Sequence, residues 1–160
     1  MRNTIMMLGM TMAMAMAASA CGGGESGGEQ FARFVGTWRP VSGTVTRSCP
    51  GYAAETSPVT ENLIWSPGVG ADLISTDSTS CSLMANVTSA TAASVPGQSC
   101  SGPAGQGGTY TLAFGGYTFV ISADGRTATE NGSGQITFVS GGATLICTFT
   151  GTASYEKIGN

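Results

Sequence analysis

The stretch "YTFVISA", residues 117–123, constrains the fold more than any other feature of this chain. Tyr117, Phe119 and Ile121 occupy every second position, with smaller or polar residues between them. A period of two belongs to an extended strand that buries one face and exposes the other. "TYTLAF" (109–114), "QITFV" (135–139) and "ATLICTFTG" (143–151) keep the same period, and "TASYEKI" closes the chain. Beyond residue 20 no segment holds apolar residues at helical spacing over three turns. The one fragment of helical composition, "SATAASV" (89–95), is short and lacks large apolar anchors.

The strands are punctuated by glycine pairs and by Asp-Gly and Asn-Gly steps, which favour tight hairpins because they admit positive φ. Turns are therefore expected at Gly115 and Gly116, at Asp124 and Gly125, at Asn131 and Gly132, and at Gly141 and Gly142. The first half adds about four strands, in "GTWRPVSGTVTRSC" (36–49), "TENLIW" (60–65), "ADLIST" (71–76) and "SCSLMANVT" (80–88). The predicted class is all-β, an antiparallel meander closing into an up-and-down barrel of about eight to ten strands, since closure removes exposed edges. A β-sandwich is the alternative, with 89–108 as a long crossing loop.

The amino-terminal residues have a different character. Arg2 precedes the apolar run "IMMLGMTMAMAMAA" and the small residues "ASA" at 18–20. A short positive region, an apolar stretch and small residues are the three parts of a secretory signal peptide. The run is shorter than the roughly 20 apolar residues a membrane-spanning helix requires. "SAC", with Ala18 before it, resembles the lipobox of bacterial lipoproteins. That resemblance implies cleavage after Ala20, lipidation of Cys21 and a membrane partner reached through the acyl anchor. Gly22 in place of Asp resembles the lipoproteins that are sorted to the outer membrane. The division expected is a signal peptide over 1–20, the lipidated cysteine with a glycine-rich tether over 21–33, and one β domain over 34–160. "GGGESGGEQ" gives that tether a root-mean-square reach of roughly 16 Å.

Five cysteines fit this scheme. With Cys21 as anchor, Cys49, Cys81, Cys100 and Cys147 remain, an even number suited to two disulfides in an oxidising compartment. Three pairings are open. If the first strand closes beside the last ones, Cys49 reaches Cys147 and Cys81–Cys100 staples the segment between. The alternation puts Cys81 with Leu83 and Val87, and Cys147 with Leu145 and Phe149, on apolar faces.

Charge and chemistry exclude several functions. Loss of residues 1–20 removes Arg2 and leaves five basic against nine acidic side chains, a net charge of −4. That balance, without any Lys/Arg cluster, gives no electrostatic footprint for nucleic acid. The chain has no histidine, so Ser-His-acid and Cys-His arrangements are out of reach, and neither a cofactor nor a metal is called for. Asp72 and Asp77 lack the ligand ladder of a calcium loop. A hydrolase would have to rely on two carboxylates from Glu61, Asp72, Asp77, Asp124 and Glu130. Turn chemistry accounts for Asp124 and Asp77, leaving Glu61 and Asp72 as the pair to watch.

"GTW" at 36–38, ahead of a meander, resembles the Gly-x-Trp that opens lipocalin barrels. The wider pattern is similar in texture to small, Cys-bearing bacterial lipoproteins, which implies no activity. The lipocalin resemblance implies carriage of a small apolar ligand, with Trp38 and Trp65 as candidate contacts, Trp65 standing beside the turn "SPGVG". Tyr110, Tyr117, Phe119, Phe138 and Phe149 all point inward on the pattern, and their volume favours a filled interior. The expected role is that of an envelope-tethered structural or interaction lipoprotein, with a protein or a small apolar ligand as partner. Ligand carriage and a paired-carboxylate hydrolase are the alternatives.

Overall fold

The computed structural model describes residues 27–76, 81–104 and 107–160. Cys21, the segment before it and Asp77 lie outside them. A helix, α1 (Gly27–Phe34), leads into ten strands: β1 (Gly36–Ser48), β2 (Glu55–Pro58), β3 (Leu63–Pro67), β4 (Leu73–Thr76) and β5 (Ser82–Ser89) in the first half. The second half holds β6 (Ala92–Val95), β7 (Gln98–Pro103), β8 (Thr109–Ile121), β9 (Thr127–Ser140) and β10 (Ala143–Gly159).

The up-and-down barrel expected from the sequence is not the architecture, and neither is the sandwich. All ten strands belong to one antiparallel sheet, in the order β10-β9-β8-β6-β5-β4-β3-β1-β2, with β7 attached to β8 alone. A further β10–β1 pairing brings the hydrogen bonding nearly full circle. A meander would pair each strand with its two sequence neighbours. Here β2 and β3 do not pair with each other, nor do β6 and β7, because strand lengths differ. The 13-residue strands β1 and β8 each lend one edge to two short strands placed end to end. Along β1, β3 takes residues 36–38 and β2 takes 44–47. Along β8, β6 takes 117–120 and β7 takes 109–114.

Two of the expected hairpin turns prove to be strand interior. β8 runs through Gly115 and Gly116 with a register shift there, and β9 runs through Asn131 and Gly132. The glycines inside β9 are needed for clearance. A Cβ on Gly134 would stand 2.2 Å from the Ala113 carbonyl oxygen and 2.7 Å from the Phe149 ring. The turns at Gly125 and at Gly141 and Gly142 do form, with φ of 70°, 58° and 82°.

One half of the sheet is packed solid. Phe34, Trp38, Trp65, Leu73 and Phe119 are completely or almost completely buried there. Phe119 meets Trp38 and Trp65 edge to face at centroid distances of 5.2 and 5.9 Å. Burying a large apolar side chain stabilises by about 1.5–3 kcal/mol, and edge-to-face geometry adds about 0.5–1.5 kcal/mol per pair. Helix α1 closes this end. Residues 27–33, expected within the tether, are helical because tertiary contacts hold a helix too short to persist alone. Arg33 donates from Nη1 to Ala90 O at 3.1 Å and from Nη2 to Ala123 O at 2.5 Å. Lys157 Nζ donates to Arg33 O at 3.1 Å and lies 5.5 Å from the centre of the Trp38 ring.

The other half carries the disulfides. Cys49 at the end of β1 is bonded to Cys147 of β10, and Cys81 before β5 to Cys100 of β7, with Cα separations of 4.2 and 5.7 Å. Both bonds tie the region where β2 and β7 make the sheet's ladder discontinuous. The Gln98 side chain adds a second tie, donating to Met84 O at 3.0 Å and accepting from Met84 N at 3.1 Å. It takes the place of a ladder rung between β7 and β5.

Candidate functional site

The half of the sheet that holds the disulfides is hollow. A cavity of about 500 Å³ lies between β2, with the segment that follows it, and the long strands β8, β9 and β10. Expectation had the interior filled; the inward positions instead carry Gly132 and Gly151 here, where a neighbouring large side chain would have closed the space. Leu63, Leu83, Leu112, Phe114, Ile136 and Phe149 form apolar walls. Phe114 and Phe149 stand edge to face at 5.9 Å, so this part of the wall is set by ring packing.

Polar groups gather at two levels. At the outer level Arg47 Nη2 and Glu55 Oε2 are 2.5 Å apart, with side chains 42% and 62% exposed. Such a pair contributes about 0–1 kcal/mol, and together with the Thr46–Thr56 hydroxyl contact at 2.9 Å it fixes β2 on β1. Glu61 and Asn62 also line the cavity. At the inner level are Tyr117, Glu130 and Tyr155. Tyr155 Oη donates to Glu130 Oε2 at 2.5 Å, across the β9–β10 ladder. Tyr117 comes from β8 on the other side of β9, where it pairs with Gly132. The missing side chain at Gly132 leaves room for its ring, since a Cβ there would stand 3.2 Å from Tyr117 Cδ2.

Burial governs the electrostatics of this inner group. Desolvation raises the Glu130 carboxyl above its ordinary value, opposed by the hydrogen bond from Tyr155 and then by the nearby Tyr117 hydroxyl. Both tyrosine hydroxyls are raised, by burial first and by the Glu130 charge second. Tyr117 Oη feels that charge, yet among the described residues no atom meets it at hydrogen-bonding geometry. A buried hydroxyl in that condition costs about 1–3 kcal/mol. Behind it Trp65 Nε1 is likewise buried and unpaired, its ring 6.5 Å from that of Tyr117.

The candidate residues named from sequence are distributed unevenly about this cavity. Trp38 and Trp65 are 0% and 1% exposed and do not line it. Trp38 donates to Phe34 O at 2.8 Å in the packed half, and Trp65 backs the Tyr117 ring. Glu61 lines the cavity, whereas Asp72 does not; its Oδ2 accepts from Val87 N at 2.8 Å. The pair watched for hydrolytic chemistry therefore does not converge there. Asp124 accepts from Ser122 Oγ at 2.6 Å and from Arg126 N at 3.1 Å, which holds its carboxyl below the ordinary value and serves the turn. Cys49 and Cys81, Cys100 and Cys147 are all engaged in the disulfides. Among the described residues no group of three or more His, Cys, Asp or Glu could hold a metal ion.

Glu130 is the residue that sequence reasoning passed over. It stood among the carboxylates considered, but not in the favoured pair. A signal for it exists: Ala128, Glu130 and Gly132 share one parity, and Ala128 is 4% exposed, so an acid stands on the buried face of β9. No protein-family model matches the sequence, and no curated protein and no solved structure matches it either.

Proposed function

We propose that this chain is a lipoprotein of the bacterial envelope, anchored through Cys21 at the outer membrane, whose β domain takes up a small, largely apolar ligand. The observation that carries the ligand reading is the cavity of about 500 Å³ with apolar walls and a few convergent polar groups. Small-molecule sites have this form, at about 300–1,000 Å³. The position of the helix supports a tethered arrangement. Helix α1 enters the sheet at its packed end, opposite the hollow one, so an anchor preceding it would leave the cavity directed away from the lipid.

Two measurements test the two parts separately. Fractionation and intact mass of the protein from cells should show an acylated Cys21 in the membrane fraction, with Cys21→Ser released from it. An unlipidated mature chain that begins elsewhere would remove the anchor. Fluorescence titration of the protein with N-phenyl-1-naphthylamine should saturate at one equivalent and be reversed by 1-octanol. A response that never saturates would remove the ligand reading.

A further inference from the structure

The cavity's polar groups are unbalanced in sign. Three carboxylates line it, Glu55, Glu61 and Glu130, against one base, Arg47. Arg47 stands at the outer level, engaged with Glu55. Among the described residues no base lines the inner level, where Glu130 is set between Tyr117 and Tyr155 among apolar walls. An ionised carboxylate offers about four acceptor positions, and Tyr155 occupies one. Holding a carboxylate in such surroundings is costly unless a partner of opposite charge completes it. The neighbouring Tyr117 hydroxyl is buried at the same spot and meets no described atom at full hydrogen-bonding geometry, which leaves its oxygen able to accept as well. Both point to a ligand that brings a charged donor to this end of the cavity.

We propose that the cavity selects compounds with an apolar body ending in a protonated amine, and that the Glu130 carboxylate is the counter-charge. This rests on the ligand-binding reading given above. The apolar part lies along Leu83, Leu112 and Phe149 while the ammonium group meets Glu130, as a charge-assisted hydrogen bond. A fatty carboxylate of the same length would set two like charges together in a poorly solvated site and is excluded. A neutral alcohol keeps the apolar contacts and one donor, and binds between the two.

Isothermal titration of the whole protein at pH 7 with octylamine, 1-octanol and octanoate separates these terms, because the three tails match. Octylamine should bind tighter than octanol by about tenfold or more, the size of a hydrogen bond to a charged group, with octanoate weakest. In Glu130→Gln, checked for folding by its thermal transition, octylamine should fall to the level of octanol while octanol is little changed. Equal binding of all three by the wild type would overturn the amine selectivity and leave the cavity reading standing. An amine preference that survives in folded Glu130→Gln would overturn the role of Glu130. Binding of none of the three would overturn the cavity reading itself.

Discussion

Alanine substitutions at three glycines test whether β8 and β9 are continuous strands paired at close range. At Gly134 the new Cβ would lie 2.2 Å from the Ala113 carbonyl oxygen and 2.7 Å from two atoms of the Phe149 ring. The ring can rotate away, but the carbonyl belongs to the β8–β9 ladder, so one strand must move. Overpacking of this kind costs about 1–3 kcal/mol, and more where backbone must shift. A glycine inside a strand is itself unfavourable by about 0.5–1 kcal/mol relative to alanine, which offsets part of the clash. A net loss of about 2 kcal/mol or more is expected for Gly134→Ala. At Gly132 the nearest atom is Tyr117 Cδ2 at 3.2 Å, a side chain that can yield by a few tenths of an ångström, so the loss should stay below about 1 kcal/mol. At Gly115 only Ser133 O is near, at 3.8 Å, and alanine should be neutral or stabilising by about 0.5 kcal/mol. Urea denaturation of the oxidised protein, read by tryptophan fluorescence with a common m-value, gives the three differences. Equal effects at positions 115 and 134 would refute the close pairing, as would a Gly134→Ala protein as stable as the parent.

Two further outcomes follow from the hollow half. Glu130→Gln should change how stability depends on pH. With the folded carboxyl raised above its ordinary 4.5, the native state holds its proton after the unfolded chain has lost it. The stability this group contributes is complete below 4.5 and is lost as pH rises through the folded value. The variant's advantage over the parent should therefore grow across that window and then level off. Tyr117 and Tyr155 stay protonated throughout, and Arg47, Glu55 and Glu61 are common to both proteins; a flat difference in thermal midpoint between about pH 4 and 8 would contradict this. Replacing Cys49 and Cys147 together by alanine should cost about 4–5 kcal/mol, against about 3 kcal/mol for Cys81 with Cys100, because the first bond closes a loop of 98 residues and the second one of 19. Urea midpoints in the reverse order would count against loop closure as the source.

The β character of this chain was legible because alternation reports burial directly. Tyr117, Phe119 and Ile121 are 6%, 0% and 3% exposed, whereas Val120 between them is 40% exposed. The turns at Gly125 and at Gly141 and Gly142 were legible for the same local reason, a need for positive φ. Gly132 and Gly134 look identical in sequence but answer a different need, the absence of a Cβ beside Tyr117 and Phe149. Nothing local distinguishes the two uses of glycine, so long strands were read as shorter ones joined by turns, and the sheet's order with them. Trp38 drew attention through the Gly-x-Trp resemblance and Trp65 through the turn beside it; their volume fills the packed half instead. The cavity comes from what β1 and β8 do with two short strands each, a property of pairing between distant segments that residue patterns do not carry.

Methyl-resolved NMR of the protein titrated with octylamine addresses the hollow half most directly. Leu63, Leu83, Leu112 and Ile136 line the cavity, whereas Leu73 and Ile121 are buried in the packed core outside it. Occupation of the cavity should shift the first four methyl sets in a saturable way with a common affinity, leaving Leu73 and Ile121 nearly unmoved. Shifts absent at the four, or spread equally over all six, would contradict a ligand site in this half of the sheet.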